Sequence, residues 1–215
     1  MFKARLIAVT KPVVDRVEDA KDLIAFCARV SSPNNQMNMD TAEKLLNYLK
    51  KHKHWSPFEM ANCVVEVESP RDIARQLLRH GSFKFQEFSQ RYADVTQLEE
   101  AFCLRELRMQ DTKNRQNSLA ADDEVLKDWW ESEQKMLLAI VQDTYKRALD
   151  RGIAKEVARV ILPEGLTMSR LYVNGTIRSW IHYLEVRLEE GVTQLEHVQL
   201  ARLIAEQVNS VYKVA

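Results

Sequence analysis

Arg79-His80-Gly81-Ser82-Phe83-Lys84-Phe85-Gln86-Glu87-Phe88-Ser89-Gln90-Arg91-Tyr92 packs cations, a carboxylate, two amides, two serines and three phenylalanines into fourteen residues. Guanidinium forks suit phosphate oxygens, hydroxyls and amides complete such a shell, and aromatic planes lie against flat rings. The stretch therefore has the chemistry to hold a small, planar, phosphorylated ligand. Ser89 has no His/Asp pair placed to activate it, so it reads as a ligand to phosphate or base rather than as a nucleophile. Arg159, Arg178 and Arg187 could join Arg79 and Arg91 in one cationic pocket.

The elements that must position these groups follow from spacing. Ser69-Pro70 reads as a helix start, with Ser69 as cap and Pro70 in the first turn. Ile73, Ala74, Leu77 and Leu78 then mark a buried face. Gln76, Arg79 and His80 share another face. Gly81 is expected to stop the helix in the left-handed conformation. Glu87, Ser89 and Arg91 are spaced by two, so on an extended strand all would point to one side. A helix end and a strand would thus present Gln76, Arg79, His80, Glu87, Ser89 and Arg91 to one cavity. The plainer alternative, that Arg79 and His80 only complement the helix dipole, leaves the Glu-x-Ser-x-Arg spacing unexplained.

Elsewhere, residues 2–10 and 62–68 read as strands, and 102–109 as a further candidate. Residues 20–29 read as a helix. Asp40 with Glu43 suggests a capping box for a helix to His52, with Leu45, Leu46 and Leu49 inward. Residues 111–123 are polar and expected to form an exposed loop. The longest helix is expected at 124–151, packing through Leu126, Trp130, Leu137, Val141, Thr144 and Ala148. Val125, Trp129, Met136 and Ile140 make its other face apolar as well, which calls for a second partner. A last helix is expected at 194–211, packing through Leu195, Val198, Leu203 and Val208. Mixed helices and strands in a chain of 215 residues point to an α+β fold in one domain spanning 1–215.

Composition narrows the function. Lys+Arg and Asp+Glu are both 31, so the chain lacks the basic excess of a nucleic-acid or membrane surface. Cys27, Cys63 and Cys103 are widely spaced with no Cys-x-x-Cys, and read as reduced core cysteines of a cytoplasmic protein. No signal peptide or spanning segment is expected. Five glycines form no phosphate loop, so a Rossmann-type dinucleotide site is not expected. His52, His54 and Glu59 do not complete a metal set, and no metal is expected.

Six motifs in order carry a resemblance. They are Ala28-Arg29-Val30-Ser31; Lys51-His52-Lys53-His54-Trp55-Ser56-Pro57-Phe58-Glu59; Ala74-Arg75-Gln76; Arg79-His80 with Ser89 and Arg91; Glu156-Val157-Ala158-Arg159-Val160-Ile161-Leu162-Pro163; and Arg178-Ser179 through Arg187. Over about residues 20–200 the chain resembles the flavin-dependent thymidylate synthases. It departs from their pattern twice. Gly81 stands where the signature has Arg, and the segment from Arg187 to Gln194 lacks the family's His. The resemblance implies an antiparallel-rich sheet with packed helices. It implies a methyltransferase that reductively methylates dUMP to dTMP, with methylenetetrahydrofolate as carbon donor and FAD, reduced by NADPH, as hydride donor. It places Gln76, Arg79, Glu87, Phe88, Ser89, Gln90, Arg91, Arg159 and Arg187 around dUMP, the last two from another subunit. Arg187 would be catalytic, polarising the uracil ring. It places Ser31, His54, Ser56, Glu59, Arg79, His80, Gly81, Glu87, Thr176, Arg178 and His182 around FAD. It also implies a homotetramer with shared active sites. Two readings compete: a weakened relative that only binds FAD or dUMP, and an RNA-binding or regulatory protein, which the balanced charge disfavours.

Overall fold

A computed structural model describes residues 2–212. Four strands form one antiparallel sheet in the order β1-β2-β6-β3: β1 (Lys3–Val9), β2 (Asn62–Pro70), β3 (Lys84–Glu87) and β6 (Met168–Thr176). Alternation explains its two faces. Cys63, Val65 and Val67 of β2 and Leu171 and Val173 of β6 turn inward and are buried. Between them Glu66, Glu68, Arg170 and Tyr172 turn outward, where Arg5–Glu66 (2.9 Å) and Arg170–Glu68 (2.6 Å) bridge neighbouring strands.

The inner face is covered by helices α1 (Ala20–Ala28), α2 (Ala42–Lys51), α3 (Arg71–Leu78), α6 (Ile177–Arg187) and α7 (Leu195–Asn209). Trp180, Tyr183, Phe58, Ile73, Leu77, Ile177 and Ile181 are fully enclosed there. Each such side chain contributes roughly 1.5–3 kcal/mol of burial. A hairpin of β4 (Arg108–Gln110) and β5 (Ser118–Ala120), the long α4 (Glu124–Asp150) and the short α5 (Lys155–Ala158) complete the described α+β chain.

Several expectations need correction. Ser69 does not cap α3: strand β2 runs through Pro70, which stands at the cap position without a side-chain bond. The β2–β6 ladder holds Ser69 opposite Ser169, and sheet pairing overrides the local start signal. Gly81 is not in the left-handed region; only Gly152 and Gly191 are, among the described glycines. Asp40 does not cap α2, which starts at Ala42 after Thr41. Residues 102–109 contribute only a bridge from Phe102 to Thr167 and the start of β4. The expected loop at 111–123 contains β5.

The long helix packs through its expected stripe, with Val141 buried and Leu126, Trp130, Thr144 and Ala148 half-buried, except that Leu138 is buried in place of Leu137, which is exposed. Gln134 and Tyr145 are buried on the same face. Gln134 satisfies a backbone pair there: its Oε1 accepts from the Arg105 amide (2.7 Å) and its Nε2 donates to the Arg105 carbonyl (2.9 Å).

Gly175 is a close approach in β6. A Cβ there would collide with the ring of Phe83, which is itself buried against Trp180 at 4.4 Å between ring centroids. Gly175→Ala is expected to destabilise the protein by about 1–3 kcal/mol, the usual cost of overpacking. Thermal or urea unfolding checks this, and an unchanged midpoint would contradict it.

Candidate active site

Helix α6 is the spine of the site. Thr176 caps it, its Oγ1 accepting from the Ser179 amide at 3.1 Å. Eleven residues give it a length of about 16 Å. Near its start Arg178 donates to Glu59 at 2.6 Å. One turn on, the His182 ring meets Trp55 edge to face, with centroids 4.9 Å apart. At its end Arg187 Nε donates to His80 Nε2 at 3.0 Å. The 3₁₀ turn Ser56–Glu59 therefore faces the first half of α6, and the residues after α3 face the second half.

His80 must accept from Arg187 at Nε2, so it carries its proton on Nδ1 and is neutral. Burial, then the charges of Arg187 and Arg79, hold its pKa below the usual histidine range. The Arg187 guanidinium keeps its two terminal nitrogens for other partners.

A polar chain backs this end of the site. Gln76 Nε2 donates to Gln194 Oε1 (2.7 Å), and Gln194 Nε2 donates to Glu196 Oε2 (3.0 Å). His197 sits between Gln76 Oε1 (3.2 Å) and the Tyr183 hydroxyl (3.1 Å) and is completely buried. Arg108 and Arg105 pair with the far oxygen of Glu196, and Arg105 reaches Asp72 at 3.0 Å. Burial opposes the Glu196 charge, but the Arg108 bond and the two guanidiniums outweigh it and hold the carboxyl below the usual range. Burial, helped by the charge of Arg187, pushes the His197 pKa down to about 3, so His197 is neutral.

The second group of expected ligands lies elsewhere. Glu87 closes β3 and is held by Arg71 (3.1 Å) and by the Ser169 hydroxyl (2.9 Å). Arg71 is the first residue of α3, whereas Gln76 lies about 7.5 Å further along the helix and Arg79 about 12 Å, just past its last residue. Beyond Glu87 the strand ends, and Ser89–Ala93 turns back on itself through bonds from the Tyr92 and Ala93 amides to the Ser89 carbonyl. The expected strand carrying Glu87, Ser89 and Arg91 on one side is therefore not formed past Glu87. β6 runs on to Met168, but the turn closed on the Ser89 carbonyl takes the chain off the β3–β6 ladder, whose last pair is Glu87–Leu171. Phe88 donates its amide to the Arg170 carbonyl (2.8 Å), and Arg91 pairs with Glu156 (3.2 Å) on α5, next to half-buried Arg159. Gln90 is buried, and its Nε2 has no hydrogen-bond partner among the described residues.

One chain thus brings together Gln76, His80 and Arg187, and separately Glu59, Thr176, Arg178 and His182. It holds Glu87–Arg91 with Arg159 at a third place. Ser31 lies exposed in the turn after α1. The loop it starts is pinned by buried Arg29, which donates to Thr41 Oγ1 at 2.8 Å and to the Asn38 carbonyl. His54 is exposed, with Tyr48 and His52 ring centroids each 6.3 Å away. Arg79 and Gly81 are exposed.

His197, Tyr183, Glu196 and Arg105 were not legible as site residues. The one available signal was Gln194-x-Glu196-His197 at the start of an otherwise apolar helix. Burial pushes the Cys63 thiol to about 12 and the Cys103 thiol to about 11, so neither is a ready nucleophile. No group of three or more His, Cys, Asp or Glu among the described residues could hold a metal ion.

Comparison with known proteins places the chain in a family. The family profile described as thymidylate synthase complementing protein matches residues 12–212. A probable flavin-dependent thymidylate synthase of Paramecium bursaria Chlorella virus 1 is 52% identical over 205 residues, covering 95% of this chain and 93% of that protein. The flavin-dependent thymidylate synthase of Synechocystis sp. is 48% identical over 200 residues, covering 92% of this chain and 89% of that one. In three dimensions the fold matches a UMP/dUMP methylase, PolB from Streptomyces cacaoi, whose crystals contained 5-Br dUMP. The TM-score is 0.81 at 25% identity, over 100% of this chain and 92% of the other. With the motifs in order and the fold shared throughout, the chain belongs to the thymidylate synthase complementing protein family, the flavin-dependent thymidylate synthases.

Proposed function

We propose that this protein is a methyltransferase that converts dUMP to dTMP as a single catalytic domain, with FAD as cofactor, NADPH as its reductant and methylenetetrahydrofolate as carbon donor. The observation that carries the reading is the buried Gln90 amide without a partner, next to the Ser89 hydroxyl and Arg91. An unpaired buried donor beside a guanidinium fits an anionic ligand. FAD fits the α6 groove, where Arg178, His182, Ser56, Glu59, Thr176 and His80 offer charge and rings. When bound, the flavin supplies the hydride.

The chain's own residues bind, orient and polarise. Ser89, Gln90, Arg91 and Arg159 hold the phosphate end of dUMP, and Glu87 and Phe88 flank it. Gln76 and Arg79 donate to the nucleotide. Arg187, steadied at Nε by His80, offers its terminal N–H groups to charge developing on the uracil ring.

The ligand groups stand at opposite ends of α3, so a complete nucleotide site takes one end from each of two copies. This supports a homotetramer with shared active sites. The exposed apolar face of α4 (Trp129, Met136, Leu137, Ile140) is the surface such copies would cover. No helix among the described residues is long and apolar enough to cross a membrane, and we place the enzyme in the cytoplasm.

The test begins with the visible spectrum of the purified protein and continues with tritium release from labelled dUMP in the presence of FAD, NADPH and methylenetetrahydrofolate. Bound flavin with turnover is expected; no flavin and no dUMP affinity would defeat the reading. Gly81→Arg is a second probe. A Cβ at Gly81 meets nothing within 4 Å and the backbone there is not left-handed, so a side chain can leave this position without a clash at its root. FAD is expected to bind several-fold tighter, read by flavin titration. Unchanged affinity would mean that another group, with Lys84 as the candidate, already compensates.

A further inference from the structure

The buried chain Tyr183–His197–Gln76–Gln194–Glu196 has a direction. Its far end is a carboxylate that takes donors only, already receiving Arg105 and Arg108 on one oxygen. Gln194 must therefore turn its NH₂ to Glu196 and its oxygen to Gln76. Gln76 must turn its NH₂ to Gln194, which leaves its oxygen for His197. An acceptor in that place requires His197 to donate from Nδ1. Its Nε2, without a proton in the neutral ring, accepts from the Tyr183 hydroxyl. Every amide flip and the histidine tautomer follow from one ion-paired carboxylate.

We propose that His197 is a positioning residue for nucleotide binding: as the Nδ1–H tautomer it fixes the Gln76 amide so that its remaining N–H stands as a donor toward an oxygen of dUMP. The inference rests on the dUMP reading above and deepens it. Without His197, the Gln76 amide keeps only its bond to Gln194, its oxygen is left unpaired, and its remaining N–H is no longer held in place for the nucleotide. The position bears on specificity because it demands an acceptor from the ligand. The chain also ties Gln76 to Arg105, whose backbone is clamped by Gln134 of α4.

The experiment uses the full-length holoenzyme and reads dUMP affinity, flavin content, kcat and KM for dUMP. Wild-type flavin content and turnover are measured first, and their absence would sink the functional reading itself. His197→Leu removes the donor. His197→Asn keeps an amide N–H near the Nδ1 position. The expected result is a loss of dUMP affinity of about tenfold or more for His197→Leu, the usual scale for an unsatisfied buried polar partner, at unchanged flavin content. His197→Asn is expected to recover most of it. Wild-type affinity in His197→Leu, or equal losses in the two variants, would overturn the proposal while leaving the wild-type activity standing. Should His197→Leu fail to fold, Tyr183→Phe decides. It keeps the ring in the core but removes the hydroxyl that anchors the His197 ring at Nε2. It is expected to raise KM for dUMP several-fold with flavin retained, and an unchanged KM would overturn the assignment.

Discussion

Arg187→Ala is expected to fold, to bind flavin, and to turn over about 10²–10³ more slowly than the wild type, as when one preorganised charge-stabilising donor is removed. The residue closes α6 and is half-buried, so deleting its side chain leaves the core of Trp180, Ile181 and Leu184 intact. Its Nε is committed to His80 at 3.0 Å, which fixes the plane of the guanidinium before any ligand arrives. Such a group is worth more to a transition state than to a ground state, because charge develops only there. The loss should therefore fall on kcat more than on KM for dUMP. Arg187→Lys should recover little, since a lysine cannot give one nitrogen to His80 and two to the ring. Flavin absorbance, circular dichroism and single-turnover kinetics check the result together. Wild-type turnover in Arg187→Ala would remove Arg187 from the chemistry.

The second large effect is expected at α4. Ile140 is 62% exposed and Trp129 53% exposed in the single chain, on a helix face that its own core does not use. Ile140→Asp places a charge where a second copy is proposed to pack. An unpaired charge buried at an interface costs about 3–5 kcal/mol. The variant should keep its circular dichroism spectrum, shift to smaller species in sedimentation, and lose about tenfold or more of its turnover as the shared sites come apart. A tetramer with full activity would show that this face is not the interface. A small species with full activity would show instead that each chain holds a complete site, against the separation of Gln76 and Glu87 along α3.

The two effects test different stages of what can be read from residue order. The helix carrying Ile73, Ala74 and Leu77, the alternating strand at Cys63, Val65 and Val67, and the pairing of Arg178 with His182 on one helix face are local periodicities, and all appear in the fold. The errors are equally specific. Ser69-Pro70 is a good helix start, but the β2–β6 ladder claimed both residues. Glu87, Ser89 and Arg91 have strand spacing, but the turn closed on the Ser89 carbonyl takes the chain off β3, whose ladder ends at the Glu87–Leu171 pair. The α4 stripe holds except at Leu137, and its buried Gln134 was missed because an interior glutamine looks polar until its amide is matched to the Arg105 backbone.

Residue types, their order and their short-range spacing were enough to indicate the ligand chemistry and the family, because a phosphate or flavin shell is recognised by which groups recur in which motifs. The three-dimensional fold was needed to pair Arg187 with His80, separated by 107 residues, and Gln76 with His197, separated by 121. Contacts at that separation leave no periodicity in the chain, since they depend on how the helices cross the sheet. The same holds for proton placement. That His80 and His197 are neutral, each with its proton on Nδ1, follows only from their burial and from the partners packing brings to them.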